Sequence, residues 1–162
     1  MAEKLVVANS TSLINFATID RLDILRKLFK HIIVPPAVWK ELTEKGSAYV
    51  SADKIKNVAW IKVISIKEDN FLRIIKLKID EGEAEAIALA IQSKASLVLL
   101  DEIDARDIAQ NIDLNVIGTI GCLLLAKKLK FISEIKPLLD KIIKDAKFWI
   151  NKELYKKIIS DK

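Results

Sequence analysis

The chain has 162 residues, half of them apolar, which is enough to bury one substantial core, and its 4 glycines and 3 prolines exclude long flexible linkers. A single cysteine excludes an internal disulfide, and the longest uncharged apolar run, residues 116–126, is about half of the roughly 20 residues a membrane span needs. The net charge of +5 is uneven: residues 127–162 carry eleven lysines against five acids, a net of +6, whereas the rest of the chain is close to neutral. Such a basic region attracts phosphates, although two amphipathic helices with solvated lysine faces would give the same count.

Taken in chain order, residues 4–8 read as a buried strand that stops at Asn9, Ser10, Thr11 and Ser12, before apolar residues resume at Leu13. This is the pattern of a strand whose carboxyl end opens into a helix. Residues 20–29 form an amphipathic helix with Leu22, Leu25, Leu28 and Phe29 on one stripe. A second short strand, residues 31–34, contains the lone His31 and is stopped by Pro35 and Pro36, after which 37–44 is a helix opened by proline. Residues 46–57 read as a loop with room for one helical turn. Residues 60–66 alternate apolar and polar, which predicts a strand on an edge or with one wet face, and 69–78 follow as a helix.

The segment DEGEAEAIALAIQSKA predicts a helix over 81–94, apolar almost all round and therefore buried. The strand SLVLL then ends in Asp101. A short helix at 105–111, a short strand at 115–117 and a helix at 119–130 come next, and two helices at 136–146 and 151–159 close the chain. Strands alternating with helices predict an α/β fold. Its sheet is mainly parallel, of four or five short strands, with helices on both faces. One domain is expected over 1–162, with a basic two-helix segment at about 134–160. The first residues carry no secretory pattern, so a cytoplasmic protein without a membrane segment is expected. Cys122 lies in an apolar segment and reads as a buried small side chain.

Ligands in open parallel sheets bind at the carboxyl ends of the strands. Asn9 and Asp101 stand at two such ends, and Asp101 begins a run of three acids in four positions with Glu102 and Asp104. One acid would serve as a helix cap, but three exceed that need. The buried helix carries Glu83 and Glu85 near its start, about 200° apart around its axis, so only one can face a shared site. Glu41, in PPAVWKEL, supplies another carboxylate. Acids gathered at strand ends repel unless a cation neutralises them, and oxygen-only ligation suits Mg2+ or Mn2+. Such ions support in-line displacement at phosphorus. His31 inside an apolar strand excludes a Ser–His triad or a zinc site, and neither G-x-G-x-x-G nor a P-loop occurs. G-T-I-G at 118–121 is too short to claim phosphate binding, although Thr119 starts a helix near the site.

Five stretches in order, VVANSTSLI, IIVPPAVWKEL, DEGEAEAIALA, SLVLLDEIDAR and GTIGCLLLAKK, with the closing FWINKELYKKI, resemble PIN-domain proteins nearly end to end. This is the ribonuclease fold that includes the VapC-type toxins, and the chain is most similar to a branch of short prokaryotic predicted nucleic-acid-binding proteins. The resemblance implies a three-layer α/β/α sandwich. It makes Glu41, Glu83 and Asp101 the catalytic acids. Glu83 is preferred to Glu85 by its eighteen-residue spacing to Asp101. The implied metal set is Asn9, Glu41, Glu83, Asp101 and Asp104, with Ser10 and Thr119 near the substrate. Where the family places its first metal-binding Asp, this chain has Asn9, which offers a carbonyl oxygen but no charge.

The implied activity is Mg2+- or Mn2+-dependent cleavage of RNA, as the toxin of a toxin–antitoxin pair held by an antitoxin protein. The alternative is a non-catalytic RNA- or protein-binding homologue. A small-ligand α/β domain outside the family lacks any cofactor fingerprint. Asn9 is compatible with a weakened nuclease, with a degenerate binding module, or with a substitution introduced to silence a toxic enzyme. The apolar stripe Leu138, Leu139, Ile142, Ile143, continued by Phe148, Trp149, Leu154, Ile158 and Ile159, predicts a homodimer or a partner surface.

Overall fold

The computed structural model describes residues 4–44 and 52–160; of the expected loop at 46–57, residues 46–51 lie outside them, and the described half carries a short helix over Ala52–Lys56. β1 (Val6–Ala8) leads into α1 (Ser10–Thr18) and α2 (Leu22–Phe29). β2 (Ile32–Val34), α3 (Pro36–Thr43), α4 (Ala52–Lys56) and β3 (Ile61–Val63) follow. After α5 (Asn70–Ile75) come α6 (Glu81–Gln92), β4 (Leu97–Leu99), α7 (Ile103–Asn111), β5 (Val116–Ile117) and α8 (Thr119–Lys128). α9 (Lys136–Asp145) and α10 (Lys152–Ser160) end the described chain.

The five strands form one sheet in the order β3-β2-β1-β4-β5, all parallel. Val7 of the central strand pairs with Ile33 on one side and Val98 on the other. All three residues of β1 are buried, as helices flanking both faces require. β3 lies on an edge with only Ile61 buried, which is why its sequence alternates. Asp80 and Glu83 close a capping box at the start of α6, and Pro36 sits in the first turn of α3.

His31 departs from expectation. Lys30 ends α2 at φ 63°, and this left-handed residue turns the chain so that His31 is exposed just before β2 rather than inside it. The C-terminal helices dock on the body. Leu139 and Ile142 of α9 and Ile158 of α10 are buried, and α9 packs against α1. Asp140 joins the two helices by accepting from Lys136 and from the Tyr155 hydroxyl. Among the described residues, no helix is long and apolar enough to cross a membrane.

Candidate active site

In this strand order the chain leaves β1 toward one edge and β4 toward the other, so a crevice opens at the carboxyl ends of these two neighbours. Asn9 prolongs the ladder, its backbone N–H donating to the Leu99 carbonyl at 3.0 Å. It stands at the N-cap of α1, where an Asn ordinarily caps with its side chain. Here the side chain makes no capping bond. Its Oδ1 is buried and unpartnered, in a residue only 3% exposed.

Glu83 mirrors it from α6. Its backbone N–H donates to Asp80 Oδ1 at 2.8 Å, while its own Oε1 is buried without a partner. Burial, reinforced by the negative charge of Asp80, Glu102 and Glu41, pushes its carboxyl up to about 7. Glu85 points elsewhere, accepting from the Ala37 N–H at 3.0 Å at the start of α3. The helical angle between the two acids thus separates a cleft residue from a helix cap.

Asn9 and Glu83 line one cleft of about 560 Å3, together with Ser10, Glu41, Glu102 and Asp104. Ser10 Oγ donates to Glu41 Oε2 at 2.6 Å, holding that carboxylate against α6. Gly82 makes room for it, because a Cβ there would overlap Glu41 Oε1. Glu102 sits at the mouth of the cleft. The sequence showed it only as the middle of the three-acid run, with nothing to single it out.

Asp101 lies in different company. Its Oδ1 accepts from the Thr119 N–H at 2.7 Å, and its Oδ2 from the hydroxyls of Ser12 and Thr119, both at 2.8 Å. Asn15 Nδ2 donates to Thr119 Oγ1 at 3.0 Å, so the network ties α1, the end of β4 and α8 together. Thr119 is fully buried, with its amide and hydroxyl both given to Asp101, which makes it a positioning residue rather than one that reaches a substrate. Asp101 lines the adjoining cavity, not the cleft.

Among the described residues, no three His, Cys, Asp or Glu side chains cluster into a ready-made metal shell. The donors the cleft does offer are hard oxygens. Two of them are already stripped of water and hydrogen-bond partners, a state that is costly unless a cation or a donor fills it. That chemistry fits a hard divalent cation.

A family model described as a PIN domain, DUF3368, matches residues 5–162. The chain belongs to this PIN-domain family. The fold agrees. A PilT N-terminus domain protein from the hyperthermophilic archaeon Sulfolobus solfataricus P2 superposes with a TM-score of 0.52 at 17% identity, covering 75% of this chain and 92% of that one. Comparison with curated proteins returns no match. PIN domains generally depend on divalent metal, and the family suggests nucleic-acid binding.

Proposed function

We propose that this PIN domain is a Mg2+- or Mn2+-dependent ribonuclease whose cation is held by Glu83 and the amide oxygen of Asn9, with Glu41, Glu102 and Asp104 around the same cleft. The observation that carries this reading is the pair of buried, unpartnered oxygens, Asn9 Oδ1 and Glu83 Oε1, on one acidic crevice at the sheet's switch point. When bound, a divalent cation supplies Lewis acidity toward a phosphodiester oxygen and a water. The chain's own residues do the rest. Ser10 orients Glu41, and the capping box orients Glu83. Asp101, with Ser12 and Thr119, holds the turn that carries Asn9 against the end of β4.

The test is cleavage of single-stranded RNA with added Mn2+, in wild type and Glu83→Gln purified identically, with chelator controls. Metal-dependent cutting that Glu83→Gln abolishes supports the nuclease. A protein that binds RNA but neither binds Mn2+ nor cuts is the non-catalytic homologue, the second reading, which the missing charge at Asn9 favours. A toxin role with an antitoxin, or a homodimer, has less to draw on. Leu139, Ile142 and Ile158 of the expected stripe are buried in the chain's own core, and only Trp149 is strongly exposed, Leu154 and Ile159 being about two-fifths exposed.

A further inference from the structure

We propose that the cavity beside the acidic cleft is a subsite for one nucleotide of a single-stranded polynucleotide. In this arrangement the base stacks on Trp149, and the adjoining phosphate is taken by Arg106 and Lys147. The proposal deepens the nuclease reading and rests on it only for the direction in which the strand runs.

The cavity holds about 750 Å3, within the roughly 300–1,000 Å3 of small-molecule pockets. It shares Thr11, Glu102 and Ile103 with the acidic cleft, so a strand lying in one continues into the other. Its outer wall is built by the segment after α9. Lys147 leaves that helix at φ 55°, and the chain then runs without regular structure through Phe148 and Trp149 to Asn151. Trp149 is 79% exposed, so its indole contributes little to the core while lining the cavity. An aromatic face presented beside cations is the common device for holding an unpaired base.

Arg106 supplies the second, independent observation. It reaches the cavity from α7, half-buried, and its Nη1 donates to the Leu100 carbonyl at 3.0 Å. That bond uses one of five guanidinium donors, and Arg106 forms no ion pair among the described residues. Asp101 on the same wall gives its oxygens to Ser12 and Thr119. A held guanidinium without a carboxylate partner suits a phosphate oxygen. The net +6 of residues 127–162 adds to the pull. Exposed Ile103 and Leu154 would also suit a protein segment, but Arg106, Lys147 and the basic charge of residues 127–162 favour a polyanion.

The experiment is fluorescence anisotropy in chelator, with a labelled eight-nucleotide oligouridylate, its deoxy counterpart and an abasic oligomer of equal length. Trp149→Ala should weaken base-bearing oligomers by about tenfold. Trp149→Phe should restore most of that loss, and the abasic oligomer should be indifferent to both. Arg106→Gln should weaken all three and lower the salt slope by about 0.7. Equal affinity for the ribo- and deoxy-oligomers supports a single-strand subsite in general, and tighter binding of the ribo-oligomer supports an RNA subsite. If Trp149→Ala and Arg106→Gln both leave affinity within twofold while melting is unchanged, the proposal is overturned and the cavity falls to a protein partner. Should that happen while Mn2+-dependent cleavage persists, the nuclease reading stands without the subsite. Trp149-dependent binding by a protein that neither takes Mn2+ nor cuts keeps the subsite and removes the nuclease.

Discussion

Glu83 and Asp101 are both acids beside helix N-termini at the open end of the sheet, yet their surroundings are opposite. Asp101 has three donors at 2.7–2.8 Å and joins α1, β4 and α8. Glu83 keeps one oxygen buried and unpaired, and burial beside Asp80, Glu102 and Glu41 raises its pKa to about 7. A satisfied buried carboxylate stabilises the fold that satisfies it, whereas an unsatisfied one destabilises the apo fold and gains from a ligand. Two acids that look equivalent in the sequence therefore divide into one with its oxygens hydrogen-bonded and one with an oxygen left open, and the proposed function assigns the cation to the second.

The comparison breaks most sharply at Glu83. Glu83→Gln should weaken Mn2+ binding by at least about 100-fold, above the 10–100-fold that outer-shell changes cost, as calorimetric titration would show. In metal-free buffer it should raise melting temperature at pH 8 and leave it nearly unchanged at pH 4. The sign follows from the raised folded pKa. Between the ordinary value of 4.5 and about 7, the folded state holds a proton that the unfolded state has released, so wild-type stability falls as pH rises through this window. The loss should reach at most about 3 kcal/mol, and a melting series from pH 4 to 8 measures it.

Asp101→Asn should cost about 1–3 kcal/mol without metal, because an amide nitrogen replaces an acceptor facing three donors. Melting should drop by several degrees. Asn9→Asp should tighten Mn2+ by at least about tenfold, roughly 1.4 kcal/mol, and raise cleavage of single-stranded RNA, because it restores a negative ligand beside Glu83. Smallest of all, Gly82→Ala should shift melting by no more than about 2 °C, the gain in helix propensity offsetting the displaced Glu41 tip, while Mn2+ affinity falls a few-fold.

What the sequence revealed and what it hid divide along the range of the interactions. Strand ends, the proline before α3 and the buried, mostly apolar α6 are local patterns that predicted the parallel α/β sheet, and the alternation of 60–66 predicted a strand on an edge or with one wet face, of which β3 takes the edge. The separation of Glu83 from Glu85 followed from helical geometry alone. The partners of Asp101 were out of reach because Thr119 and Ser12 lie 18 and 89 residues away, and no local pattern encodes a contact across two helices. His31 was misplaced because its apolar neighbours hid the left-handed turn at Lys30. Three of the nine stripe residues, Leu139, Ile142 and Ile158, serve the core, which the period of α9 could not distinguish from a partner surface.

The most direct test is one calorimetric Mn2+ titration at pH 8 of wild type, Glu83→Gln and Asp101→Asn, with the melting temperature of each taken in metal-free buffer. The expected result is that Glu83→Gln loses the metal and melts higher, whereas Asp101→Asn melts lower and, while folded, binds Mn2+ within a few-fold of wild type. Loss of Mn2+ from Asp101→Asn at unchanged melting, with Glu83→Gln binding normally, would place the cation at Asp101 and contradict the division between the two acids.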